Sequence, residues 1–149
     1  MSIAAWISPD DTSAFRTIAA KGEFTNDVYQ LSLWDGKVFF RVRTTAGDNY
    51  VRSVNTVPVG QWSNVVGVRE GNLLKMYING VQDPTTTAVF GAGLTEHLGL
   101  KIGFHLPSSP NAFKGLVDEV GIFNRALSSN EIKDLQHWQR WDVRSCHGS

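Results

Sequence analysis

Two carboxyl groups that cleave a glycosidic bond with retention stand about 5 to 5.5 Å apart, a spacing that alternate positions on one strand face supply. No strand-like segment of this sequence carries acidic residues at i and i+2. Asp118 and Glu119 are adjacent, so an extended chain sends them to opposite faces. Asp10 and Asp11 follow Pro9, where aspartate serves turn chemistry. His97, His105, His137 and His147 show no His-x-x-x-His spacing, and the single cysteine, Cys146, leaves neither a disulfide framework nor a cysteine zinc site. A serine nucleophile elbow, a phosphate loop and an EF-hand loop are all missing from the sequence. These features point away from an enzyme and toward binding.

Binding chemistry is concentrated between Val28 and Arg43. Two alternating runs meet there at Asp35-Gly36, a pair that accepts positive φ at both central turn positions. With Trp34 opposite Lys37, the pairs Leu33–Val38, Leu31–Phe40 and Tyr29–Val42 form one apolar face. The other face carries Trp34, Ser32–Phe39 and Gln30–Arg41. Trp34 can stack on a sugar ring while Gln30 and Arg41 bond hydroxyls or carboxylates. The competing reading is that these aromatics only support cross-strand pairing. Asp48, Asn49, His105 and Asn111 form a second candidate set, on loops at the rim of the fold.

Asp118 stands apart. The alternation of Val117 to Phe123 puts it on one face with Val120 and Ile122, opposite Val117, Glu119, Gly121 and Phe123. A carboxylate on such a face must be paired or hydrogen-bonded, to backbone amides or to a neighbouring basic residue.

The elements that position these residues are mostly strands. Besides the hairpin, Phe15 to Lys21, Tyr50 to Asn55, Trp62 to Arg69, Leu73 to Asn79, Leu100 to Phe104 and Val117 to Phe123 read as strands. Glu70-Gly71-Asn72 and Asn79-Gly80 are turn signals, and Thr44 to Asn49 and Leu106 to Asn111 read as polar loops. One helix is expected near 128–138, because Ser128 and Glu131 form a capping box and Ile132 and Leu135 follow at helical spacing. Trp138 and Trp141 then cover one end of the fold or offer a contact surface, and 136–149 forms a C-terminal tail. Strands without intervening helices predict an all-β, two-sheet antiparallel sandwich in a single domain, 1–149. Its expected interior is Leu31, Leu33, Val38, Phe40, Val42, Val66, Val68, Met76, Ile78, Val120 and Ile122.

Bulk properties narrow the partners. The 149 residues hold 14 Lys plus Arg and 14 Asp plus Glu, so no net field favours nucleic acid or an anionic membrane. No apolar run approaches the roughly 20 residues that span a bilayer. The start, Met1-Ser2-Ile3, lacks the basic and apolar regions of a secretory signal.

Three blocks carry a family resemblance: SIAAWISPDD (2–11), QWSNVVGVREGNLLKMYING (61–80) and FKGLVDEVGIFNRALSSNEIKDL (113–135). In this order they resemble the strands and closing motif of laminin-G-like, concanavalin A-like jelly-roll domains. The resemblance implies a jelly-roll sandwich and a noncatalytic module, with carbohydrate as the first ligand class and an extracellular or cell-surface setting. Its rivals are an assembly role through a sheet edge or the Trp138/Trp141 end, and third a glycoside hydrolase of the same fold. The resemblance also implies structural calcium at Asp118, beside the hydrogen-bonding reading above. Domains of this family usually begin with a further strand beside the terminal one. Without it an open edge is expected, covered by the tail from Trp138 or paired in a homodimer.

Overall fold

Asp35 and Gly36 both adopt positive φ, 49° and 80°, and the chain reverses there as the Asp-Gly pair predicts. The hairpin they join has the expected register, with Leu33 opposite Val38, Leu31 opposite Phe40 and Gln30 opposite Arg41. The structure, a computed structural model, describes residues 1–22, 28–94, 99–103 and 111–136. Its strands are β1 (Ser2–Pro9), β2 (Phe15–Lys21), β3 (Tyr29–Trp34), β4 (Lys37–Thr44), β5 (Gly47–Thr56) and β6 (Ser63–Glu70). They continue as β7 (Leu73–Ile78), β8 (Val81–Gln82), β9 (Thr87–Ala88), β10 (Leu100–Ile102) and β11 (Gly115–Phe123). A helix, α1, follows at 129–136.

These strands form two antiparallel sheets. One runs β10-β2-β3-β4-β5; the other runs β11-β1-β6-β7-β8, with β9 also on β7. Ile3, Ala5, Ile7, Val65, Leu74 and Met76 meet Ile18, Leu31, Leu33, Val38, Phe40 and Val42 between them. The expected interior is therefore largely present, with two refinements. Val66 and Val68 are buried on the other side of β6, with Ala4, Tyr77, Leu127 and Ile132. Alternation sends Val65 inward and Val66 outward, and α1 covers the outward set. Ile122 is 39% exposed and Val120 half-buried on β11, the last strand of its sheet among the described residues, and Ile78 is half-buried where β7 ends.

α1 begins as its sequence predicts. The Glu131 N–H donates to Ser128 Oγ and the Ser128 N–H donates to Glu131 Oε1, each at 3.2 Å. Arg125 forks onto the same carboxylate, with Nη1 donating to Oε1 at 2.8 Å. Trp138, Trp141 and the rest of 137–149 lie outside the described residues, as do 104–110, which include Phe104, His105 and most of the segment expected as a polar loop.

Two expectations are corrected. Thr44 to Asn49 is not a loop: β4 runs through Thr44 and β5 starts at Gly47, leaving two residues between them. The polar residues fold the turn inward, since the Ala46 N–H donates to Thr44 Oγ1 at 3.2 Å. Asp118 does not share a face with Val120 and Ile122. Trp6 opposes Asp118 and Ala4 opposes Gly121, so both Glu119 and Val120 sit across from Ala5. Glu119 takes the extra position at φ 51°, a β-bulge that resets the alternation and leaves Asp118 exposed. Among the described residues β11 pairs with β1 alone, and no strand stands on its other side.

Candidate functional site

The outward face of β2–β5 brings together the residues with the most binding chemistry. Cross-strand partners share a face, so register builds the rows directly: Gln30–Arg41–Tyr50, Ser32–Phe39–Arg52 and Phe15–Trp34–Lys37. Phe39 is the buried centre of an aromatic cluster. Its ring meets Phe15 edge-on at 5.3 Å and Trp34 edge-on at 5.8 Å, and Tyr50 stacks on it at 5.3 Å. Tyr50 is 51% exposed and Trp34 37%, so the cluster presents two accessible rings supported from beneath.

Cations frame these rings. The Arg52 guanidinium lies 4.4 Å from the centroid of the Trp34 ring, and its Nη2 donates to the Trp34 carbonyl at 3.0 Å. Arg43 Nε donates to Asp48 Oδ1 at 2.9 Å, while Arg41 Nη1 stands 3.9 Å from Asp48 Oδ2. The Arg43 hydrogen bond, with the charges of Arg41 and Arg43, outweighs desolvation and holds the Asp48 carboxyl below the usual aspartate range. The face thus offers an apolar ring surface bordered by charged N–H donors, an arrangement that stacks a flat ligand and hydrogen-bonds its edge.

Of the residues singled out from the sequence, Trp34, Arg41 and Asp48 converge here. Gln30 shares the face but is only 2% exposed; its amide donates to Ser32 Oγ at 2.9 Å and Thr17 Oγ1 at 3.5 Å, making it a support rather than a ligand group. Asn49 is 9% exposed and locks the β4–β5 turn to the segment at 90, with Nδ2 donating to Thr44 Oγ1 and Oδ1 accepting the Phe90 N–H, each at 3.2 Å. One residue's shift along a strand turns it away from the face that carries Asp48. Asn111 sits by β2, where its carbonyl accepts the Thr17 N–H at 2.8 Å. His105 lies outside the described residues. Trp34, expected to stack on ligand, already carries Arg52 over its ring.

Tyr50, Arg52, Phe15 and Arg43 were missed. Their signal was present as alternation in Tyr50-Val51-Arg52, but reading 44–49 as a loop left β5 without a register against β4. The two-residue turn supplies that register.

The resemblance implies calcium at Asp118. The ion takes six to eight oxygen ligands, whereas the exposed Asp118 carboxylate accepts the Glu119 N–H at 2.8 Å. Among the described residues there is no group of three or more His, Cys, Asp or Glu that could hold a metal.

A sequence model of the concanavalin A-like lectin/glucanases superfamily matches residues 1–133. No curated protein sequence matches the chain. Among solved structures, the chain is similar to the Ruminococcus gnavus IT-sialidase CBM40 bound to alpha2,3 sialyllactose, with a TM-score of 0.74 and 14% identity. That match covers 91% of this chain and 80% of the other. Domain 4 of an extracellular arabinanase from Geobacillus stearothermophilus, in complex with arabinotriose, has a TM-score of 0.66 and 24% identity, over 91% of this chain and 65% of that one. A native heptameric SAP-like pentraxin from Limulus polyphemus has a TM-score of 0.69 and 18% identity, over 91% and 68%. At these identities the likeness is one of fold.

Proposed function

We propose, from the premise that this chain belongs to the concanavalin A-like lectin/glucanases superfamily, that it is a noncatalytic module binding carbohydrate on the outward face of β2–β5. The observation that carries this reading is the aromatic cluster of Phe15, Trp34, Phe39 and Tyr50, with half its rings accessible and guanidinium groups alongside. A pyranose or furanose has an apolar C–H face and a rim of hydroxyls. Tyr50 offers the first a flat support, and Arg41 and Arg52 offer the second N–H donors. Two of the similar folds are described as complexes with sialyllactose and with arabinotriose, which favours the same ligand class.

A glycan array followed by calorimetric titration tests the proposal. Saturable binding, reversed by free sugar and weakened about tenfold or more by Tyr50→Ala, is the expected result. The melting temperature of that variant should stay near the parent's, because Tyr50 is half exposed. Absence of saturable binding across neutral and acidic glycans would refute the module reading. An assembly role through β11 is the second reading, favoured by the edge it leaves unpaired among the described residues and by the exposed Leu116 and Ile122. Concentration-dependent dimerisation in sedimentation, without sugar binding, would establish it instead.

A further inference from the structure

Charge is unevenly placed on a chain that carries equal numbers of acidic and basic residues. Register puts Lys37, Arg41, Arg43, Arg52 and Lys101 on the outward face of β10-β2-β3-β4-β5, against Asp48 alone among its strand positions. Asp48 is held by Arg43 through Nε at 2.9 Å and Nη2 at 3.4 Å. Asp35, in the hairpin turn, spends Oδ1 on the Ala14 N–H at 2.9 Å, and its Oδ2 is 3.9 Å from Arg52 Nη2, beyond hydrogen-bond reach. Arg52 is therefore a cation without a hydrogen-bonded carboxylate among the described residues. It sits two positions along β5 from Tyr50, on the same face.

Arg52 is also held in place. Its guanidinium rests on the Trp34 ring and is pinned by the Trp34 carbonyl, while its side chain remains one-third exposed. A planar fork fixed in this way loses little freedom when a carboxylate arrives, and guanidinium–carboxylate geometry is bidentate. Trp34 thus acts as the rest for Arg52, and Tyr50 is the ring left open for stacking.

We propose that the face selects carboxylated sugars, a uronate or a sialic acid residue, with the sugar ring on Tyr50 and its carboxylate on Arg52. This rests on the carbohydrate-binding reading above and gives it a ligand class. The cationic surroundings from Arg41 to Lys101 add attraction that salt weakens.

The test is titration with matched probes: trigalacturonate against its methyl ester, and sialyllactose against lactose. The expected result is that one acidic probe or both bind about tenfold or more tightly than the neutral partner, as a charge-assisted bond implies. Which acidic probe is preferred separates uronate from sialic acid. Added sodium chloride should weaken the acidic arm and leave the neutral arm nearly unchanged. Arg52→Gln should abolish the preference, and Arg52→Lys, which keeps the charge but not the fork, should retain part of it. Equal affinity for acidic and neutral partners would overturn the inference while leaving the module reading intact. So would a preference that survives Arg52→Gln in the folded protein, or equal binding of polyglutamate, which shares only the carboxylates. Failure of every probe, neutral glycans included, removes the module reading and this inference with it.

Discussion

Phe40 fits between the sheets because the residue facing it on β6 has no side chain. A Cβ built on Gly67 would stand 2.5 Å from the Phe40 Cγ and under 3 Å from both Cδ atoms, in a core where Phe40 has no exposed surface. Gly67→Ala should therefore destabilise by about 1 to 3 kcal/mol through overpacking, and Phe40→Ala by roughly 3 to 5 kcal/mol through the cavity it leaves. The two are in contact, so they should not add. Phe40→Leu combined with Gly67→Ala should unfold at a higher urea concentration than the sum of the single effects predicts. If the effects add, the ring and the glycine do not share this space. The position of Phe40 was legible from the hairpin register. The need for glycine at 67 was not, because strand alternation says which side a residue faces but not what stands across the gap.

At the level of elements, local signals worked where chain neighbours make the structure. The Asp-Gly hairpin and the Ser-x-x-Glu cap use groups two or three residues apart, and both formed as read. They failed where a single backbone angle changes the phase. Glu119 at φ 51° looks like any strand residue in sequence, yet it turns Asp118 from the inner side to solvent. The likewise short β4–β5 turn hid the register that assembles Tyr50 and Arg52. A left-handed backbone tolerates glycine and strains β-branched residues most. Glu119→Gly should thus leave stability nearly unchanged, whereas Glu119→Val should lower it by about 1 to 2 kcal/mol. Ser128→Ala should cost about 1 kcal/mol by removing the helix cap. Thermal denaturation of the three variants checks the set, and equal losses for glycine and valine at 119 would count against the bulge.

Across the whole molecule, Asp83 ties one sheet to the other. It lies just beyond β8, almost wholly buried, and its carboxylate accepts the N–H groups of Val54, Asn55 and Thr85 and the Asn55 amide. Burial raises its pKa, but these bonds outweigh that effect and hold it below the usual aspartate value. Asp11, bonded by Ser13 and facing Arg16, and Glu131, bonded by Arg125 and the Ser128 N–H, both fall to about 2. Each folded value is depressed, so the stabilisation is present above the unfolded carboxylate range and is lost as pH falls through the folded values. The melting temperature should stay level from neutral pH to about 5 and then drop between about 4 and 2. Asp83→Asn places an amide donor among N–H groups and should cost about 1.5 to 3 kcal/mol at neutral pH. That deficit should narrow toward pH 2; a constant deficit would mean the carboxylate charge is not what the amides hold. The same packing sets the orientation of the molecule. The Met1 ammonium donates to the Arg69 carbonyl, and Ser2 Oγ joins Arg125 and Leu127. Both the start of the chain and α1 thus lie with the six-stranded sheet, and the aromatic face looks out from the opposite side. A molecule fastened by Met1 would display Tyr50 and Arg52 like a palm held away from the wrist, whereas fastening through Lys37 or Lys101 would press that palm against the support.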